Sequence, residues 1–179
     1  MYYAEEGTLF DGDWENNQRN GFGTLSIGTQ KLYVGGWKDD KRHGDGMNYF
    51  DDGSWYDGQW SNGMRNGWGR MQFADNTVYE GEWLNDQQNG QGMMTYPNGD
   101  HFEGEFEAGK KNGNGRFFYA DTGSTYVGVW KDNIPKCGEY KNDVPDIKSL
   151  KNPLEFQIPE LTLKNPTEVL KEASQHARL

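Results

Sequence analysis

Ring-bearing and polar residues alternate with period two through short stretches of this chain. YEGEW at 79–83 is the type: ring, acid, glycine, acid, ring. Such alternation predicts a β-strand with its rings on one face and its acids on the other. The phrase returns. Its first ring falls at Phe10, Tyr33, Tyr56, Tyr79, Phe102 and Tyr126, with spacings of 23, 23, 23, 23 and 24 residues. Glycine follows two residues later each time, and a large ring two further on: Trp14, Trp37, Trp60, Trp83, Phe106 and Trp130. A polar loop then leads to G-x-G at Gly21/Gly23, Gly44/Gly46, Gly67/Gly69, Gly90/Gly92 and Gly113/Gly115. A fixed period of this length marks a repeat architecture.

A second alternation starts at each G-x-G, as in GRMQF (69–73) and GRFFY (115–119). The polar loop makes the two strands a hairpin. A second turn, PNG, DDG or ADTG, leads to the next unit, and Asn-Gly and Asp-Gly suit the positive-φ positions of tight turns. The chain opens in mid-repeat, since MYYAEEGTLF (1–10) aligns without gaps on MMTYPNGDHF (93–102). The sixth copy departs, with Cys137 and Glu139 where the glycine pair belongs.

Glycine weakens a strand, yet here it shares a face with bulky rings. Its missing Cβ leaves a slot in which a ring of the neighbouring strand can lie flat across the backbone. Ring-on-ring and ring-on-glycine packing then supply a core from one sheet. The predicted fold is all-β: an elongated, single-layer antiparallel meander of hairpin repeats, on the order of 55 Å long at about 4.8 Å per strand. If the first ring is position 0 and paired positions sum to 15, Asp57 faces Arg70, Glu103 faces Arg116, Val34 faces Met47 and Glu80 faces Met93. In the first three pairs acid meets base and apolar meets apolar, as cross-strand pairs prefer, and Glu80 with Met93 is neutral.

Composition narrows the function. The net charge is −10 over 179 residues, with an isoelectric point near 4.7. That argues against a nucleic-acid partner, which calls for a basic face, and against docking on anionic lipid by net charge alone. Mean hydropathy is −1.05, but 15% aromatic residues and 25 glycines are not the composition of a solvated tail. One cysteine, Cys137, excludes an intrachain disulfide and suggests a reduced, intracellular setting. The N-terminus lacks the basic start and apolar core of a signal peptide.

Y-x-G-x-W followed by G-x-G and a ring, at a period of 23, resembles the MORN repeat (membrane occupation and recognition nexus) over residues 1–140. The resemblance implies a single-sheet scaffold or docking groove, of the kind found in junction, cytoskeletal, ciliary and radial-spoke proteins and in some lipid kinases. KNGNGRFF (111–118), DNIPKCG (132–138) and FQIPE (156–160) are similar to a branch of that family associated with male germ cells and motile cilia or flagella. That implies a cytoplasmic, cytoskeletal setting in such an assembly.

The glycine loops recur and precede strands, so they read as turns rather than a phosphate cradle. The acids Asp11/Asp13, Glu80/Glu82 and Glu103/Glu105 also recur in register, which reads as a solvated face and not a catalytic pair. His43, His101 and His176 show no metal-ligand spacing, and Cys137 reads as a small packed residue. No catalytic residue, cofactor or metal is expected. The intra-hairpin loops carry Arg19, Lys41, Arg42, Arg65, Lys110 and Lys111, a basic rim that either protects the turns or touches lipid headgroups or an acidic partner. Asp86 interrupts that rim. By parity the acid face also holds Phe22, Tyr49, Trp55, Trp68 and Phe118, with Gln59 and Gln72 beside the tryptophans. Interface hot spots are enriched in such rings, which are expected either to be covered by a partner segment or to be covered by the chain's own tail or flattened onto neighbouring strands.

After Tyr140 the glycine rhythm stops. Residues 141–165 read as an extended, proline-containing tail. Asn165, Pro166 and Glu168 mark a helix start, which predicts a short helix over 166–178. The expected function is a non-catalytic scaffold that docks a helix or extended segment of a cytoskeletal or ciliary protein. The alternative is a peripheral membrane adaptor that binds acidic phospholipid through the basic loops.

Overall fold

A computed structural model describes residues 2–5 and 7–141. Its strands are β1 (Tyr2–Glu5), β2 (Thr8–Glu15), β3 (Gln18–Ile27), β4 (Gln30–Lys38), β5 (Lys41–Tyr49), β6 (Trp55–Ser61), β7 (Met64–Gln72), β8 (Val78–Leu84), β9 (Gln87–Thr95), β10 (His101–Glu107), β11 (Lys110–Tyr119), β12 (Ser124–Lys131) and β13 (Ile134–Lys141). They form one 13-stranded sheet in sequence order, antiparallel throughout, so each repeat is one hairpin of a meander. The extended tail expected over 141–165 lies outside the described residues beyond Lys141, and so does the helix expected over 166–178.

The register is the one the sequence implies. Asp57 pairs with Arg70, Glu103 with Arg116, Val34 with Met47 and Glu80 with Met93. The hairpin turns between strands 2/3, 4/5, 6/7 and their successors hold two residues at positive φ, such as Asn16/Asn17, Asp39/Asp40 and Asn85/Asp86. Asparagine, aspartate and glycine tolerate that backbone, and its twist matches the flanking strands.

Alternation alone does not reveal one feature. Within the third hairpin, Gly58 pairs with Gly69, but the next pair is Trp60 with Arg65. Gln59 therefore stands opposite three residues, Asn66, Gly67 and Trp68. This bulge places Gly67 at φ +100°, and it recurs in the first, second, fourth and fifth hairpins.

The core is a file of rings on one face. Phe10, Tyr33, Tyr56, Tyr79 and Phe102 are wholly buried. Each meets the large ring of its own strand edge-on and also that of the next repeat. Tyr56, for example, lies 5.2 Å from Trp60 and 5.3 Å from Trp83, at 88° and 83°. Edge-to-face pairs of this kind contribute about 0.5–1.5 kcal/mol each beyond burial. The glycines make the burial achievable: a Cβ on Gly92 would lie 2.5 Å from the Tyr79 hydroxyl oxygen. The Tyr33, Tyr56 and Tyr79 hydroxyls donate to the carbonyls of Gly36, Gln59 and Glu82. The Trp37, Trp60 and Trp83 indoles donate to the carbonyls of Gly23, Gly46 and Gly69. The polar tips of these six core rings are thus satisfied, whereas the buried Trp130 indole N–H has no hydrogen-bond partner among the described residues.

The sixth unit is less broken than its sequence suggests. Its loop is one residue shorter, so Gly138 pairs with Gly128 and a Cβ there would lie 2.7 Å from the Tyr126 ring. The expectation for Cys137 is corrected: it is exposed rather than packed, because it stands on the terminal strand β13.

Candidate functional site: the acid face and the cationic edge

The face opposite the rings carries the acids and the surplus aromatics. Cross-strand pairing sets Tyr49 beside Trp55, Trp55 beside Gln72, Gln72 beside Val78 and Val78 beside Thr95. The same row continues from Thr95 to His101 and from His101 to Phe118. His101 and Phe118 are stacked, with centroids 4.8 Å apart. All seven are partly exposed, so the row is a half-buried, ring-bearing stripe without acids across an acidic surface. Sequence reasoning singled out Tyr49, Trp55, Gln72 and Phe118. It missed Val78 and His101, which occupy the same repeat position and were findable by parity.

Phe22, Gln59 and Trp68 lie in a different row, nearer the hairpin turns. Phe22 is 38% exposed and pairs with Gly36, while Trp68 pairs with Glu82. Gln59 has a structural duty, since its Oε1 accepts the Trp68 backbone N–H at 2.8 Å. Asp13, Glu82 and Glu105 do the same for Phe22, Gln91 and Asn114, at 2.9, 3.0 and 3.2 Å. Those carboxylates are therefore bound to the bulges rather than merely solvated.

Between the rows lies a depression of about 170 Å³ lined by Arg70, Val78, Glu80, Met93 and Thr95. Arg70 turns from its cross-strand neighbour Asp57 to Glu80, with Nε 3.1 Å from Oε1, and its guanidinium lies 5.6 Å from the Trp55 ring. Burial, reinforced by repulsion from Asp45, holds the Asp57 carboxyl above the usual aspartate range, and Arg70 opposes that rise. Arg116 and Glu103 form the second ion pair of this face, at 2.6 Å.

The expected basic rim resolves into two groups. Arg19, Arg42, Arg65 and Lys111 fold back over the ring core. The Arg19 and Arg65 guanidiniums lie 4.3 Å from the Trp37 and Trp83 rings, and each pairs at 3.0 Å with an aspartate of the next hairpin turn, Asp40 and Asp86. Asp86 is thus the partner of Arg65, not a gap in a rim. Arg42 lies over Tyr33 and Trp60, with Gly63 at the corresponding turn position. Lys41 and Lys110 are exposed, and Lys110 pairs with Asp132 at 2.9 Å. Lys111 is buried, 8% exposed, and burial pulls its ammonium down to about 8.

Among the described residues there is no group of three or more His, Cys, Asp or Glu side chains that could hold a metal ion. No helix among them is long and apolar enough to cross a membrane.

The family model described as MORN repeat matches residues 10–29, 33–55, 56–78, 79–101 and 102–124. The chain is 54% identical over 178 residues to MORN repeat-containing protein 3 from Xenopus laevis, an alignment covering 94% of this chain and 72% of the relative.

Proposed function

This chain belongs to the MORN-repeat family, and on that premise we propose that it is a non-catalytic scaffold holding a segment of a partner protein on its acid face. One observation carries the reading: Tyr49, Trp55, Val78, His101 and Phe118 stand in a single cross-strand row, on the face that the ring core does not use. Burying large apolar side chains is favourable only if something covers them. A row perpendicular to the strands suits a helix or an extended chain laid across the sheet. Trp68 and Phe22 flank the row and widen the contact. The setting we propose is a ciliary, flagellar or germ-cell assembly, on the resemblance of residues 111–118 and 132–138 to that branch of the family.

Affinity capture from ciliated or testis-derived extract tests the reading. Partners bound by the wild-type chain should be lost by Trp55→Ala/Trp68→Ala, while circular dichroism stays unchanged. Vesicles containing acidic phospholipid should not sediment the wild-type chain at moderate salt. Salt-sensitive sedimentation that disappears in Lys41→Glu/Lys110→Glu would instead favour the membrane adaptor.

A further inference from the structure

We propose that the open depression lined by Tyr96, Pro97, Asn98, Asp100, Lys111 and Phe117 is a carboxylate-binding site anchored by the Lys111 ammonium. The site is on the ring-core side of the sheet and does not depend on docking at the acid face.

The site is a shallow depression of about 510 Å³, open to solvent. The Lys111 Nζ lies within 4.8–5.2 Å of the centroids of Tyr96, Phe102, Phe117 and Trp130. Ring faces attract a cation, but they do not replace a counter-ion for a charge taken out of water. Two of the other repeats show what is missing, while beside Arg42 the matching turn position is Gly63. Arg19 and Arg65, at the same repeat position, each have an aspartate in the next hairpin turn. For Lys111 that residue is Asn133, whose Oδ1 accepts the Lys111 backbone N–H at 2.8 Å but brings no charge. Lys111 is in none of the ion pairs found among the described residues.

Asp100 lines the same depression but is committed to its turn. Its Oδ1 accepts the Ala120 N–H and its Oδ2 the Asn98 amide, both at 2.8 Å. One ammonium with one spent carboxylate suits a monoanion better than a phosphate dianion. Tyr96, Pro97 and Phe117 offer apolar walls to a short aliphatic stem, so the fitting ligand is a carboxylate on such a stem, whether a free small acid or a glutamate side chain of a polypeptide.

The test is an NMR titration of the full-length chain with sodium butyrate and, separately, with the peptide acetyl-Gly-Glu-Gly-amide, against matched sodium chloride. Saturable shifts are expected at Tyr96, Lys111 and Phe117. Lys111→Met should weaken binding roughly tenfold or more, as loss of a charged hydrogen-bond donor does. Asn133→Asp, which supplies the aspartate seen beside Arg19 and Arg65, should weaken it similarly and keep the fold even if Lys111→Met does not. Tighter binding of the peptide assigns the site to a polypeptide side chain, and equal or tighter binding of butyrate to a free acid. Shifts no greater than with chloride, or unchanged binding in Asn133→Asp, would overturn the proposal.

Discussion

The Tyr79 hydroxyl oxygen occupies the space where a side chain on Gly92 would begin, 2.5 Å from the ideal Cβ position. Tyr79 is wholly buried and meets rings on both sides, Trp83 at 5.3 Å and Phe106 at 5.0 Å. It cannot move without opening that file. Gly92→Ala should therefore destabilise the chain by about 2–3 kcal/mol, the upper range for overpacking a core. Urea denaturation measures this, and a change near zero would mean that the ring has room to give.

Ala108 stands at φ 48° in a hairpin turn. The matching positions of the other turns hold Asn16, Asp39, Asn62, Asn85 and Asp132. A left-handed backbone costs alanine about 1–2 kcal/mol, and asparagine less. Ala108→Asn should accordingly stabilise the chain, by about 0.5–1 kcal/mol, read as a rise in the urea midpoint at constant slope.

Two groups titrate in opposite senses. Asp57 is raised by burial and by Asp45. Between the ordinary aspartate value of 3.8 and its folded value, the native state binds more protons than the unfolded one. Stability contributed here falls as pH rises through that window. Asp57→Asn should raise the melting temperature at pH 7, and the gain should vanish below the ordinary aspartate value.

Lys111 is lowered by burial from 10.5 to about 8. Between those values the unfolded state binds more protons, so stability contributed by this group rises with pH across that range. Melting temperatures taken between pH 8 and pH 10 should show this rise in the wild-type chain and lose it in Lys111→Met.

Much of the ring face is readable from alternation and period, because bulk on one parity and bare glycine on the same parity leave few ways to pack. The pairing of Asp57 with Arg70 follows from that register. The ion pair from Arg70 to Glu80 does not, since an arginine between two acids can turn either way. The bulge opposite Gln59 was not legible either. It keeps the parity of the flanking residues, so it leaves no trace in the alternation. Its consequence, that Asp13, Glu82 and Glu105 accept backbone N–H groups, was hidden with it. The loop cations read as a solvated rim because sequence spacing does not show a long side chain lying back over a ring, as Arg65 does on Trp83. The pairing of Gly138 with Gly128 is not legible from the period, because the last loop is one residue shorter than the others.

Trp68 and Gly69 are consecutive residues on opposite faces of β7, and comparing their substitutions tests the division of labour between the faces most directly. Urea denaturation and partner capture should be measured together on Trp68→Ala and Gly69→Ala. The account predicts that Trp68→Ala keeps its stability to within about 1 kcal/mol and loses the partner, whereas Gly69→Ala loses about 2–3 kcal/mol. A Trp68→Ala chain that melts early, beside a Gly69→Ala chain as stable as the wild type, would contradict it.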